Sequence, residues 1–221
     1  DQRRKSLHKV ENLKKLKNVK KSMLEKMFPK PGSDLPEIRF KNFSGTWEKL
    51  MLRDESVDIV AGGDIDKSKI SDTGKYPVIA NALTSDGILG FYENDYRIKA
   101  PAVTVTGRGN IGDAKARKTN FTPVVRLLSI KTEHDVDFLE NAINNHKVII
   151  ESTGIPQLTI PQLSNYEIYF PKQDEEEKVI GLFFNNLNNV ISLHQVELKK
   201  LKNIKKAFFE KMTNTLSSQE A

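Results

Sequence analysis

A long helical segment occurs twice in this chain, once near each end. Residues 13–27 read LKKLKNVKKSMLEKM and residues 198–212 read LKKLKNIKKAFFEKM, with eleven of fifteen positions identical. A spacing this large does not fit a solenoid of short repeats. It predicts two copies of one long helix with a folded domain inserted between them. If that domain brings the helix ends together, the helices can run antiparallel and bury their apolar seams on each other.

Both copies carry apolar residues at steps of three and four, the pattern of a one-sided amphipathic helix. We therefore predict an antiparallel coiled coil formed by the two long helices. The residues expected in its buried seam are Leu13, Leu16, Val19 and Met23 in the first copy, and Leu198, Leu201, Ile204 and Phe208 in the second.

Proline, glycine and acidic residues mark the predicted boundaries. Pro29 and Pro31-Gly32 end the first helix, because proline cannot continue a helix interior. Four acidic residues, 174–177, begin the second helix, where carboxylates oppose the helix dipole favourably. The predicted parts are a first helix at 1–28, a connector at 29–44, a central domain at 45–171, a second helix at 172–216 and a tail at 217–221.

The central domain has short β-type segments separated by turn signals. The predicted strands are 76–80, 87–92, 102–106, 124–130 and 166–170, and one longer helix is predicted at 136–150. Strand and helix do not alternate regularly. The expected fold class is therefore α+β, with an irregular mixed domain inserted between two long helices.

Composition excludes several function classes. There is no cysteine, which rules out disulfides, thiolate catalysis and cysteine metal sites, and the four histidines lack metal-ligand spacing. We therefore predict neither a metal site nor a cofactor. No apolar run approaches the ~18 residues of a membrane span, so we expect a cytoplasmic protein without a membrane partner. The net charge of +6 favours a polyanionic partner.

The segment 107–112 reads GRGNIG, which matches the GxGxxG pattern of dinucleotide-binding folds. That fold needs a helix to begin there, with its N-terminus at the pyrophosphate. Residues 113–120 have no apolar helical face, so a glycine-rich turn between strands is the better interpretation. The basic residues that follow can either approach a phosphate or form the solvated flank of a simple hairpin.

Two further charge patterns have simple structural interpretations. The pattern Glu176-x-Lys178 after Asp174 loosely resembles a nuclease's acidic cluster, but it lies in a glutamate run at a helix start, and helix capping explains it better. The repeated lysines are typical of a solvated helix face, and they also allow contact with DNA or an acidic partner. No nucleophile, phosphate-binding loop or paired carboxylates indicate catalysis, so we predict a protein that is not an enzyme.

Four motifs together resemble the specificity subunit of type I restriction-modification systems. They are a helix ending LEKMFP, a stretch with Pro36, Ile38, Arg39, Phe40, Phe43 and Trp47, the turn VTGRGNIG at 105–112, and a Pro-x-x-x-Glu-Glu-x-x-x-Ile stretch at 171–180. The last leads into the repeat of the first helix. One departure is Glu176-Glu177, where the family commonly has Glu-Gln.

The resemblance implies a division of labour. The central domain is a target-recognition domain that reads one half of a split double-stranded DNA target. The helices set the spacing between half-sites and hold the methyltransferase subunits, and through them the restriction subunit. With one recognition domain and Asp1 as its first residue, the chain is expected to be a fragment or a natural half-length version. A homodimer is a further expectation.

DNA contacts are expected from loops of the central domain that carry polar and basic residues. The candidates are Asn81, Thr84, Ser85, Arg97, Lys99, Arg108, Asn110, Lys115, Arg117, Lys118, Thr153 and Gln157. Arginine and asparagine can contact guanine and adenine edges in pairs of hydrogen bonds, whereas lysines are expected mostly on phosphates. The alternative function is a coiled-coil adaptor whose central domain binds a protein, and a nucleotide-binding enzyme built on the glycine turn is a remote third.

Overall fold

The computed structural model describes residues 2–82, 84–146 and 156–217, and within these the side chains of all but residues 2–7, 85, 209 and 211–217. Its contacts divide the chain into two compact units: a helical unit of residues 1–23 with 185–221, and a core unit, Leu24–Phe184. The helices are α1 (Gln2–Met27), α2 (Val136–Asn145), α3 (Ile160–Ser164) and α4 (Asp174–Ser217). The strands are β1 (Glu48–Met51), β2 (Asp58–Ala61), β3 (Tyr76–Ile79), β4 (Ile88–Tyr92), β5 (Ala102–Thr106), β6 (Ala114–Arg117), β7 (Thr122–Pro123), β8 (Leu127–Lys131) and β9 (Glu167–Phe170).

The two long helices run antiparallel, as the repeat predicts. Phe28, directly after α1, lies 6.1 Å from Phe184 of α4 between ring centroids. Towards the start of α1, Lys9 Nζ lies 2.8 Å from Glu197 Oε2, further along α4. Moving along the pair from Phe28 towards Lys9, residue numbers fall on α1 and rise on α4. The fold class, an α+β domain inserted between two paired helices, is confirmed.

The seam of the helical unit follows alternating steps of three and four on both helices, the spacing of a coiled coil. On α4 the buried or half-buried positions include Ile191, His194, Leu198 and Leu201. On α1 they are Leu13, Leu16, Lys20 and Met23. Leu198 is only 7% exposed and lies in the centre of this series.

Three predicted seam residues lie outside the seam. Val19 is 47% exposed, because the four-residue step from Leu16 places Lys20, rather than Val19, towards α4. Ile204 and Phe208 are 61% and 64% exposed. Because the helices are antiparallel and Lys9 lies opposite Glu197, Ile204 lies opposite the first residue of α1. Little of α1 is therefore available to cover either side chain.

The described residues of the core unit form three sheets. A four-stranded sheet has the order β2-β8-β5-β6 with antiparallel neighbours, a three-stranded sheet has the order β4-β3-β7, and β1 pairs with β9. Helix α2 packs on one face of β5 and β6, where Glu140 accepts from the Ala116 backbone and Asn144 from the Ala114 backbone, both at 2.8 Å. On the opposite face a buried cluster joins the two larger sheets: Ile79, Ile98, Ala102, Phe121 and Leu127.

An aromatic cluster joins Phe28 and Trp47, which flank the connector, to α2, α4 and β9. Phe28, Trp47, Phe138, Phe170 and Phe184 are all buried, and the centroids of the contacting rings lie 5.5–6.1 Å apart. Each large aromatic side chain buried this way contributes a few kcal/mol of hydrophobic stabilisation, about 1.5–3 for a phenylalanine. The residues at the two ends of the polar connector are thus anchored in the core.

The acidic run that begins α4 does more than cap the helix, contrary to the sequence interpretation. Glu176 is 1% exposed and accepts two hydrogen bonds from the Arg39 guanidinium, both at 2.7 Å. Glu177 is also buried and lies against His134. The two glutamates that stand where the family has Glu-Gln therefore attach α4 to the connector and to the start of α2.

Other sequence expectations are corrected in detail. The strand expected at 124–130 is interrupted, because Arg126 takes a positive φ of 73° and β8 begins only at Leu127. The helix expected at 136–150 ends at Asn145, and residues 147–150 lie outside the described residues. Strands β1, β2 and β6 were not predicted, since each is only four residues long and carries charged residues.

Candidate nucleic-acid interface

The glycine motif forms the turn of the β5–β6 hairpin. The backbone N–H of Thr106 donates to Asp113 O at 3.0 Å, and the Thr106 hydroxyl accepts from the Asp113 N–H at 3.0 Å and donates to Asn110 O. Gly109 and Gly112 have φ values of 71° and 84°, the left-handed region that glycine adopts most easily. The turn leads into a strand. The interpretation as a turn between strands is confirmed, and the dinucleotide-binding geometry is absent from it.

Hydrogen bonds at Gly107 attach two other loops to this turn. Its N–H is shared between Asn81 Oδ1 at 2.8 Å and Arg126 O at 3.1 Å. Its carbonyl accepts from the Leu158 N–H at 2.9 Å. The Asn81 amide also donates to Val125 O at 3.1 Å. Four segments distant in sequence therefore meet here, and we call them the loop face: residues 80–82 with 84–87, 107–112, 124–126 and 156–158.

No side chain fits at Gly107. A Cβ there would lie 2.4 Å from Arg126 O and 3.1 Å from Leu158 O. Both are backbone atoms, which cannot rotate away. The first glycine of the motif is therefore required by the close approach of two backbone segments, and this approach holds the loop face together.

A cavity of about 120 Å³ lies beside the loop face. Its lining residues come from the segment after β3 and from the β5, β6 and β8 region: Ala80, Ala82, Asp86, Thr104, Thr106, Asp113, Lys115, Arg117 and Leu127. Arg117 Nε donates to Thr104 Oγ1 at 3.0 Å. Burial lowers the pKa of Arg117, and the charges of Asp86, Glu140 and Asp113 oppose that shift. Arg117 is thus a desolvated cation among carboxylates, which does not match the solvated flank considered for this segment.

Lys115 and Asp86 form an ion pair at the same cavity. Lys115 Nζ lies 2.9 Å from Asp86 Oδ1. The hydrogen bond from Lys115 lowers the pKa of Asp86; burial opposes this shift, and the charges of Lys115 and Arg117 support it. The carboxylate is therefore ionised at neutral pH.

Most predicted DNA-contacting residues belong to the loop face or to the adjoining strand β6. They are Asn81, Thr84, Ser85, Arg108, Asn110, Lys115, Arg117 and Gln157. Asn81 differs from the others, because both ends of its amide are occupied by backbone groups; it positions the loops. Only the backbone of Ser85 is described, and Thr153 lies outside the described residues. Arg108 Nε is buried without a hydrogen-bond partner among the described atoms.

Three candidates lie away from the loop face. Lys99 precedes β5 and Lys118 follows β6, at the end of the hairpin opposite the glycine turn. That is about 13 Å along the strand. Lys118 Nζ lies 2.6 Å from Asp137 Oδ2, and Arg97 donates to the backbone carbonyl of Asp64. The structure does not bring these three together with the others.

Two residues of the loop face were missed from sequence. Arg126 is exposed, and its carbonyl accepts from Gly107. It was overlooked because a continuous strand was predicted through it. Asp86 gives no sign of a ligand role in the sequence, because an Asp-Gly pair is typical of a turn. With these two included, four basic residues (Arg108, Lys115, Arg117 and Arg126) and two acidic ones (Asp86 and Asp113) lie on or beside the loop face.

Two further properties concern the described part of the chain. No group of three or more His, Asp or Glu side chains there is arranged to hold a metal ion. No helix within it is long and apolar enough to cross a lipid bilayer.

Comparisons with known proteins identify the family of this chain. The family model for the type I restriction modification DNA specificity domain matches residues 44–203. A protein of Mycoplasma pneumoniae named as type I specificity subunit S.MpnORF507P is 30% identical over 172 residues, covering 72% of this chain and 47% of that protein. The chain belongs to the family of type I restriction-modification specificity subunits.

Solved structures show the same fold. A crystal structure of the type I restriction-modification S subunit from M. genitalium has a TM-score of 0.68 at 12% identity, covering 91% of this chain and 56% of that one. A chain from a structure describing complex assembly and conformational transition of the type I R-M system has a TM-score of 0.64 at 16% identity, covering 95% and 54%. The chain thus spans about half the length of the relatives it matches.

Proposed function

We propose that this chain reads one half of a bipartite double-stranded DNA target and holds methyltransferase subunits. The observation that carries the DNA-reading proposal is the loop face. Its segments are fixed by hydrogen bonds through Gly107 and Asn81, and it carries Arg108 and Arg126, with Lys115 on the adjoining strand β6. A rigid support is what base readout needs, since small displacements break hydrogen bonds to groove edges.

The catalytic chemistry is assigned to partner subunits. In this proposal the chain supplies target choice, and methyl transfer and cleavage come from the methyltransferase and restriction subunits. The family membership supports such a role, because the matching model describes a DNA specificity domain.

The helical unit is the proposed scaffold for the methyltransferase. Val10 and Val196 are 48% and 49% exposed and lie level with each other, one residue from the Lys9–Glu197 contact. Leu193, one turn before Glu197, is 67% exposed. Exposed apolar side chains on the helical unit support a protein partner. The partner's methyltransferase identity rests on the family.

Salt-dependent binding tests the DNA-reading role. Fluorescence anisotropy would measure affinity of the full chain for duplex DNA between about 50 and 200 mM salt, where each neutralised phosphate contributes about −0.9 to the log–log slope. Arg126→Ala is expected to weaken binding. Lys172→Ala is the matched control: it removes one charge at a lysine that lies 3.5 Å from Glu48, away from the loop face. Salt-independent binding, or equal losses in both variants, would contradict the proposal and favour the adaptor function.

A second copy of this chain is the proposed source of the other half-site reader. Ile204 and Phe208 are apolar and exposed on α4, and a second copy would cover them. Closed two-fold symmetry is the commonest arrangement for identical chains, and it would make the target palindromic. Light scattering at micromolar concentration tests this; a chain that stays monomeric with its methyltransferase bound would contradict it.

A further inference from the structure

The ion pair between Lys115 and Asp86 joins two elements distant in sequence. Lys115 belongs to β6, and Asp86 to a single 3-10 turn, Thr84–Gly87. Their side chains are 46% and 60% exposed, so both are accessible to a ligand from solvent. Exposed pairs of this kind contribute little to stability, typically about 0–1 kcal/mol. The position of the Asp86–Lys115 pair at the loop face therefore calls for a functional explanation.

The pair is poorly suited to holding a phosphate. Asp86 already neutralises the Lys115 ammonium at 2.9 Å and would repel a phosphate brought to the same place. What the pair does offer is a charged donor and a charged acceptor side by side. A matching ligand would present hydrogen-bond acceptors and a hydrogen-bond donor side by side along one edge.

Arg117 supports the arrangement from inside the cavity. It lines the same cavity as Asp86 and Lys115, and its Nε–H is fixed on Thr104 Oγ1 at 3.0 Å. Its charge lowers the pKa of Asp86, and the charge of Asp86 in turn raises that of Arg117. When Lys115 turns towards a ligand, Asp86 still has a second cation beside it, and the acceptor is not left isolated.

We propose that the Asp86–Lys115 pair reads a G·C base pair in the major groove. Guanine presents two adjacent acceptors, N7 and O6, and cytosine presents the N4 amino donor next to them. Lys115 donates to guanine, and Asp86 accepts from cytosine N4. An A·T pair presents its donor, adenine N6, between two separate acceptors, adenine N7 and thymine O4, and adds the thymine methyl group. Lys115 could therefore reach only one acceptor on an A·T pair. This inference rests on the proposed DNA-reading function and assigns one position of the half-site.

The test is selection of duplexes from a randomised library by the full chain, followed by sequencing of the bound DNA. Asp86→Asn is a suitable variant, because Asp86 has φ 55° and asparagine tolerates this region well. We expect D86N to lose preference at one G·C position by about tenfold while the other positions keep theirs. Lys115→Gln is expected to affect the same position, and the double variant to add little, since the two residues act as a unit.

Glu48→Gln is the matched control, because it removes the same charge from an ion pair with Lys172. It is expected to leave the selected motif unchanged. If D86N instead raises affinity for all duplexes equally with the motif intact, Asp86 only shields Lys115 and the proposal is overturned. Loss of preference at an A·T position also overturns it. A wild-type chain that shows no salt-dependent duplex binding would overturn the DNA-reading function itself, a result distinct from either of these.

Discussion

His134 Nδ1 lies 2.7 Å from Glu177 Oε1, a carboxylate that is only 2% exposed. The other ring nitrogen, Nε2, lies 2.9 Å from Glu55 Oε2, and the ring stacks on Phe170 with 4.3 Å between centroids. One imidazole thus joins the start of α4, the loop after β1 and strand β9. Glu177 also accepts from the Asp135 backbone at 3.1 Å, directly before α2.

The stability of the core unit is expected to fall as pH rises above neutral. Burial by itself lowers the pKa of His134, but hydrogen bonds and charges from Glu177 and Glu55 outweigh it and raise the pKa to about 9. A histidine whose pKa is raised on folding stabilises the folded state fully at pH values below its unfolded pKa of about 6.5. This stabilisation is lost as pH rises through about 9. We expect the free energy of unfolding to fall by about 2–3 kcal/mol between pH 6.5 and 9. Urea denaturation at several pH values measures this change.

His134→Gln is expected to remove this pH dependence. It leaves two carboxylates facing a neutral side chain and lowers stability at pH 7 by about 2–3 kcal/mol. His8→Gln, on an exposed histidine of α1, serves as the control and should keep the wild-type profile. A wild-type unfolding free energy that is flat between pH 6.5 and 9 would show that His134 is not held protonated.

Arg39→Met is expected to destabilise the chain strongly. Glu176 would be left buried without its cation, and the carbonyls of Ser44 and Gly45 would lose donors. Breaking one partner of a buried ion pair costs about 3–5 kcal/mol. The double variant Arg39→Met with Glu176→Met should lose less than the single one, because no charge is then left unpaired. Lys30→Met, which breaks the exposed Lys30–Glu37 pair, should leave the urea midpoint unchanged.

The repeat and the apolar periodicity were enough to predict the paired helices and the inserted α+β domain. Both signals come from local spacing, which a single sequence displays directly. Strand β5, Ala102–Thr106, was predicted with its observed bounds because it is a run of β-branched and small residues. In contrast, β6 reads AKAR and gives no β signal; its place is fixed by pairing with β5 along one edge and by hydrogen bonds from its backbone to α2 side chains along the other.

The candidate site was predictable only in part, for a similar reason. Polar loops and the glycine turn indicated Arg108, Lys115 and Arg117. The sequence could not distinguish Asn81, which positions backbone, from a residue that contacts a ligand, because its partners Gly107 and Val125 are distant in the chain. Likewise, the buried roles of Glu176 and Glu177 depend on Arg39 and His134, which only the tertiary fold brings to them.

Leu198→Asp is expected to disrupt the helical unit, whereas Ile204→Asp is not. Both residues belong to the repeated segment and both were predicted in the seam, but Leu198 is 7% exposed and Ile204 is 61% exposed. A charge buried at Leu198 should lower the free energy of unfolding by more than about 3 kcal/mol. The same change at the exposed Ile204 should alter it by no more than about 0.5 kcal/mol. Circular dichroism at 222 nm measures the lost helix. Equal losses would mean that the α4 seam runs through Ile204.

Gly107→Ala is expected to weaken both the fold and duplex binding. The added Cβ would lie 2.4 Å from Arg126 O, so the β5–β6 turn or the 124–126 loop must move, at a cost of about 1–3 kcal/mol. The hydrogen bonds from Gly107 to Asn81 and Arg126 would be strained at the same time. Gly109→Asn is the matched control two residues away, since its Cβ position is open and asparagine accepts a φ of 71°. The thermal midpoint and the duplex affinity should both fall in G107A, whereas the thermal midpoint should stay near wild type in G109N. If the two variants behave alike, the close backbone approach at Gly107 is not what organises the loop face.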